Sequence, residues 1–285
     1  MRLLFTISTI LFAVFISNAQ RQEFLPTIDI GLNGGVSFAQ YSDFKGKLKV
    51  GGLSLMANTG YNRHILEFDF ANSLNDEGLT TPITTNFIKP STLNLNYTFA
   101  REVFAYYPAC MIRNQLLLGM RLNAEVFMGN TTATNTIENL YTALDYGRYS
   151  ADITLITDYY LNENNYLVLQ LYTPILSYFA FPEGLSSNNE RPYELDDRLD
   201  ASKSWFFDDG DLGWFSKHSK LGVNATYRLL LSKSIALQLK YNGKIKSISK
   251  VNMVGNLPAA EEILENYHQI TFGIVGHIIR PPVGF

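Results

Sequence analysis

The sequence contains a single cysteine, Cys110, in 285 residues. A lone thiol has no partner, so disulfides play no part in the fold. Positive charge is not in excess either, with 23 Lys and Arg against 26 Asp and Glu, which argues against nucleic acid as a partner. There is no His or Cys spacing of a metal site, no phosphate-binding glycine loop and no nucleophile elbow, so no cofactor and no metal is expected. Beyond the first twenty residues there is also no long apolar run. The best candidate for a membrane-spanning helix, residues 164–182, alternates in polarity and places Pro174 in mid-span, where proline breaks a helix.

The one continuous apolar run stands at the N-terminus. Met1-Arg2 is followed by Leu3 to Ile16 and then by Ser17-Asn18-Ala19, the small residues that a signal peptidase reads. A run this short does not match the ~20 residues of a membrane-crossing helix. Residues 1–19 are therefore expected to be a cleaved signal peptide and residues 20–285 a single domain. The residue after the expected cleavage site is Gln20 and not cysteine, which speaks against a lipoprotein. Cleavage removes Arg2 from the basic residues, leaving 22 against 26 acidic, a net charge of minus four.

Aromatics are abundant: 17 Tyr and 19 Phe. Apolar residues recur at every second position along about ten segments, the pattern of strands with one apolar face. Within 91–100, Leu93, Leu95, Tyr97 and Phe99 oppose Thr92, Asn94, Asn96 and Thr98. Within 115–128, Leu116, Leu118, Met120, Leu122, Ala124, Val126 and Met128 oppose Gln115, Gly119, Arg121, Asn123 and Glu125. Segments 221–231 and from 235 onward alternate in the same way about a turn at Ser232-Lys233. Weaker alternation marks 27–38, 47–59, 63–72, 149–160, 166–177 and 267–279. The second of these loses phase at Gly51-Gly52, which predicts a bulge. Several segments are long enough to cross a bilayer, which takes about 9 to 11 tilted residues, and too long for a soluble sandwich.

The gaps between segments alternate short (60–62, 161–165, 232–233) and long (73–90, 129–148, 179–218, 247–266), as in barrels with short periplasmic turns and long extracellular loops. Residues 39–46 are short for an outer loop. Residues 101–114 are long for an inner turn unless the fourth strand runs on to a turn at Pro108. The expected fold is an all-β antiparallel transmembrane barrel of ten strands, with eight or twelve left open by these two gaps. Asn135 to Leu144 and Pro258 to Leu264 predict short helices in the outer loops.

From the dyad repeats, the loop asymmetry and the terminal Phe285, the chain resembles the general class of Gram-negative outer-membrane β-barrel proteins. The resemblance implies an outer-membrane location, contact with outer-membrane lipid, and a barrel assembly machinery that reads an aromatic C-terminal signal. Pro281-Pro282 interrupt the alternation before Phe285, and Ile270, Phe272, Ile274 and Ile278 are the alternative signal.

Two groups of residues are candidates for function. The inward faces bring together a mixed-charge set: Glu67, Asp69, Glu125, Asp152 and Asp158 with Arg63, Arg121, Arg228, Lys240 and Lys244. Such a set either pairs and fills a narrow lumen or lines a channel for small solutes. The stretch 179–217 holds nine acidic residues and both tryptophans. There Trp205, Phe206, Asp208, Asp209, Asp211 and Trp214 combine aromatic faces with carboxylates, chemistry suited to a small solute or a glycan. The Asp208-Asp209-Gly210-Asp211 run lacks EF-hand spacing. The expected function is non-enzymatic: small-solute passage, or surface binding through this loop. The alternative is a rim hydrolase, protease or lipid hydrolase, using His218 or His268 as general base with loop carboxylates.

Overall fold

The computed structural model describes residues 27–41, 44–74, 79–80, 87–109, 112–131, 146–162, 164–180, 211–214, 218–249 and 262–279. Ten long strands run through them: β1 (Thr27–Tyr41), β2 (Phe44–Thr59), β3 (Asn62–Ser73), β5 (Phe87–Ala109), β6 (Ile112–Thr131), β7 (Tyr146–Asn162), β8 (Asn165–Ala180), β10 (His218–Leu230), β11 (Ile235–Ser249) and β12 (Glu262–Ile279). Two short pieces, β4 (Leu79–Thr80) and β9 (Asp211–Trp214), pair at the strand ends. Each long strand is antiparallel to its neighbours, and β1 pairs with both β2 and β12. The sheet therefore closes into a ten-stranded antiparallel barrel, as the alternation predicts.

Closure makes the two faces of every strand chemically opposite. Leu32, Leu122, Phe272 and Ile274 turn outward and are more than half exposed, while Arg121, Arg148, Asp152 and Asp158 turn inward and are buried. A protein with its apolar residues outside and its charges inside is built for a hydrocarbon surround. A closed ladder also leaves no backbone polar group unpaired in lipid. Among the described residues no helix is long and apolar enough to cross a membrane.

The joins at 60–61, 110–111, 163–164 and 231–234 lie at the barrel end shared by Thr27 and Ile279, and the long connections lie at the other. Gly60 adopts φ 65° in the first of these turns, a conformation that costs glycine least. The fourth long strand does run on, to Ala109, which explains the long 101–114 gap. The join at 42–43 is short because Tyr41 pairs directly with Phe44.

Three expectations need correction. At Gly51-Gly52 there is no bulge, since β2 pairs with β1 and β3 in unbroken register. The phase changes because Leu48 and Val50 face inward near the outer end while Lys47 and Lys49 face out. The turn after β10 is 231–234, wider than Ser232-Lys233, and Ser232 Oγ accepts the N–H groups of Ser234 and Ile235 at 3.2 and 3.1 Å. Glu262 to Leu264 belong to β12, paired with Ser249 to Ser247, so no helix reaches Leu264. The register shifts are elsewhere, with Val103, Leu161 and Ile175 as extra residues and a further irregularity between Tyr106 and Ala109. Ile175 follows Pro174, whose missing N–H removes a ladder bond. The 135–144 helix and Phe285 lie outside the described residues.

Candidate functional site

The lumen is the best-defined site, and its geometry follows from strand parity. Residues of one parity on each strand converge on the axis, and in a ten-stranded barrel opposite walls are close enough for long side chains to meet. Three layers of contacts result.

Nearest the short-turn end, Arg63 on β3 grips Asp158 on β7 through both guanidinium nitrogens, at 2.7 and 2.5 Å, and Gln115 Nε2 donates to the same carboxylate. Arg228 on β10 donates to Asp29 on β1 at 2.9 Å and to the Tyr166 hydroxyl at 2.8 Å. His277 Nδ1 lies 2.7 Å from the other Asp29 oxygen. In the middle layer Lys240 on β11 pairs with Glu67 on β3. Asn224, Gln170 and Thr154 form a chain of hydrogen bonds beside them. In the outer layer Lys220 Nζ lies 3.3 Å from Asp152 and from Asn123 Oδ1, and Lys246 Nζ donates to both oxygens of Glu125 at 2.8 Å. Above them Leu48 and Phe127 turn inward and are buried.

The ion pairs are charge-assisted, which is what makes buried charge tolerable, although Asp152 Oδ1 accepts no hydrogen bond. They also obstruct the axis. A cavity of about 50 Å³ bounded by Asp29, Glu67, Gln170, Arg228 and Lys240 has room for about two waters.

The structure thus brings Glu67, Arg121, Glu125, Asp152, Asp158, Arg228 and Lys240 into one lumenal network, with Asp69 facing in beside Gly52. Sequence reading missed Lys220, Arg148 and Glu102 because their strands run past the expected ends, and it passed over Lys246 within the strand expected from 235 onward. The sign was there for Lys246, in the period-two run Lys240, Asn242, Lys244, Lys246.

The loop set is divided. Trp205, Phe206, Asp208 and Asp209 lie outside the described residues. Asp211 and Trp214 belong to β9, which pairs with β8, and the Trp214 ring is exposed on the outer face of the wall. His218 opens β10 opposite Ile248. His268 faces outward on β12, stacked on Tyr241 with its Nδ1 2.8 Å from the phenol oxygen. His64 sits likewise against Tyr97 and Phe99. These are the amphipathic aromatic contacts of a membrane interface, and they direct the His268 ring away from the lumenal carboxylates. Among the described residues no group of three His, Cys, Asp or Glu is placed to hold a metal ion.

No protein-family description matches the sequence, and no curated protein matches it. Solved structures do resemble the fold. The outer membrane protease OmpT of Escherichia coli shares 10% identity over 92% of this chain and 100% of its own, with a TM-score of 0.45. Neisserial surface protein A shares 8% identity over 88% and 96%, with a TM-score of 0.37. The translocator domain of the autotransporter NalP from Neisseria meningitidis shares 9% over 95% and 94%, with a TM-score of 0.33. Likenesses this distant accompany the barrel architecture and transfer none of those proteins' activities.

Proposed function

We propose that this chain is an exported, non-enzymatic outer-membrane barrel whose lumen is held shut by its own side chains and which acts at its extracellular end, by surface binding. The observation that supports this most is the set of ion pairs joining opposite walls, Arg63–Asp158, Lys240–Glu67 and Lys246–Glu125. A lumen so crossed leaves space for water but not for a hydrated solute. Binding then falls to the long outer connections, where 179–217 concentrates aromatics and carboxylates suited to a glycan or another polyhydroxylated solute.

Planar-bilayer recording tests the closed lumen. The purified barrel should insert without steady conductance, and the double variant Lys240→Ala with Glu67→Ala should conduct. Steady porin-sized conductance of the unaltered protein would sink this reading in favour of solute passage. Passage is the second reading, favoured by the polar lining from Asp29 up to Lys246, and it requires the pairs to part. The rim-hydrolase reading loses support from the outward, stacked position of His268.

A further inference from the structure

The outer wall of the barrel carries little charge. Among the described side chains, the strands turn a charged group outward at three positions: Arg101 at the short-connection end, and Lys47 and Lys49 on β2 toward the other. Both lysines are exposed, and neither forms an ion pair among the described residues. Their direct neighbours across the ladders are Phe38 and Val36 on β1, and Asn72 on β3 beside Lys49. The Lys47 ammonium lies 5.5 Å from the centre of the Phe38 ring. Asn72 Oδ1 accepts from the Ser73 N–H at 2.8 Å and from the Ser91 hydroxyl at 3.3 Å, which leaves the amide NH2 as the end that donates.

The pairing registers set the depth of these lysines. Lys47 shares a row with Phe38 and His268, and Lys49 shares the next with Val36, Ile270 and Tyr241. His268 and Tyr241 stack on each other at the membrane interface, so both ammonium groups stand where hydrocarbon gives way to headgroups. Beneath them the wall is hollow. Two residues further along β2, roughly 7 Å, Gly51 faces Gly34 of β1, with Phe70 and Phe272 on either side. A Cβ on Gly51 would meet nothing within 4 Å, and one on Gly34 only Val50 O at 3.9 Å. From Gly34 a groove of about 840 Å³ runs down the outer face past Leu32, Phe272 and Ile274 to Gly276. Lysines that served only to anchor the barrel would be spread around it, whereas these two share one strand above the groove. Cations at headgroup depth over an apolar groove match an amphiphile with a negative head and a hydrocarbon chain.

We propose that Lys47, Lys49 and Asn72 bind the phosphate headgroup of a membrane lipid in the leaflet at the long-connection end, with an acyl chain lying in the groove that starts at Gly34. The lysines supply the counter-charge, and the Asn72 amide donates to a phosphate oxygen. Gly51 and Gly34 let the chain approach the backbone. The site is on the outside of the wall, so it holds whether or not the lumen conducts.

Native mass spectrometry of the purified barrel, released from zwitterionic micelles, tests the site with dioleoyl phosphatidic acid and with dioleoyl phosphatidylcholine. A single tightly held phosphatidic acid per barrel is expected, bound at least about tenfold more tightly than the choline lipid. Lys47→Gln and Lys49→Gln should each weaken it by about fivefold, the effect of one basic residue near an anionic membrane surface. Gly34→Leu, which fills the head of the groove, should weaken it too. Arg101→Gln, at an exposed position near the opposite end, should leave it unchanged, and inorganic phosphate should not displace the lipid. The heat-dependent gel shift reports folding of each variant, and if Gly34→Leu does not fold, the two lysine variants, which break no ion pair among the described residues, decide alone. Equal retention of the two lipids, or unchanged affinity in the variant carrying both lysine changes, would overturn the proposal. So would full affinity in folded Gly34→Leu, a loss in Arg101→Gln as large as in Lys49→Gln, or displacement by inorganic phosphate, which would mark a site for the free anion.

Discussion

Lys246 on β11 donates to both carboxylate oxygens of Glu125 on β6, each at 2.8 Å, across the interior of the barrel. Neither strand neighbours the other in the sheet, so the pair ties opposite walls together. Removing one partner leaves the other charge buried. Glu125→Ala should therefore destabilise the barrel by about 3–5 kcal/mol. The double change Glu125→Leu with Lys246→Met should recover most of that loss. Urea midpoints of folding into lipid vesicles measure both, and a double variant as unstable as the single one would mean that the pair matters through shape and not through charge.

Depth in the membrane should govern substitutions on the outer face. Leu237 lies on the outward face of β11, whereas Leu231 lies in the turn at the short-connection end. Arginine costs about 2–4 kcal/mol at the bilayer midplane and about 0–1 near the interface. Leu237→Arg should lower the folded fraction on heat-shift gels far more than Leu231→Arg. Equal loss in both would place the hydrocarbon band elsewhere.

Two adjacent glycines should respond in opposite directions. A Cβ on Gly51 would meet nothing within 4 Å, while one on Gly52 would sit 2.4 Å from Asp69 Oδ1 and 3.0 Å from Phe68 O. Gly51→Ala should be neutral or stabilise by about 0.4–1 kcal/mol by restricting the unfolded chain. Gly52→Ala should destabilise by about 1–3 kcal/mol through overpacking. The reverse order in folding titrations would restore the bulge that the sequence pattern implied.

The wall between β8 and β10 should open first. Their ladder ends at Tyr172 opposite Gly222, although both strands continue and β8 next pairs with β9 from Leu176. Between these points Thr173 Oγ1 donates to Lys220 O at 2.9 Å. Hydrogen exchange should be fastest, among the strand amides, at those of 173–175 and 219–221 that face this seam. Protection there equal to that of β11 would show ladder bonds that the pairing lacks.

The barrel was legible in the sequence because a strand that separates lipid from a polar interior must alternate at every residue. Leu116 to Met128 against Gln115 to Glu125 is that constraint written out. Strand ends were harder to see. Above the hydrocarbon band the outer face no longer has to be apolar, so Lys47 and Lys49 look out while Leu48 and Val50 look in, and the pattern inverts without any change of backbone. The partners in the lumen were not legible at all, because parity says which residues face inward but not which opposite wall they reach. Asp29 could be placed inside the barrel from its strand, yet its contacts with Arg228 and His277 depend on closure. Lys220 stands just before the expected start of its strand at 221, outside the alternation that assigns inward faces.

The contacts that cross the lumen join residues far apart in the chain: 199 positions separate Arg228 from Asp29 and 173 separate Lys240 from Glu67. Neither can form while the sheet is an open ribbon, because β1 must first reach β12. Until then every lumenal charge stays hydrated, and the interior has no reason to expel its water. Drying of the interior and meeting of the first and last strands are consequently a single late event, and a chain stalled before it has its lipid-facing surface in place around a wet, unclosed trough.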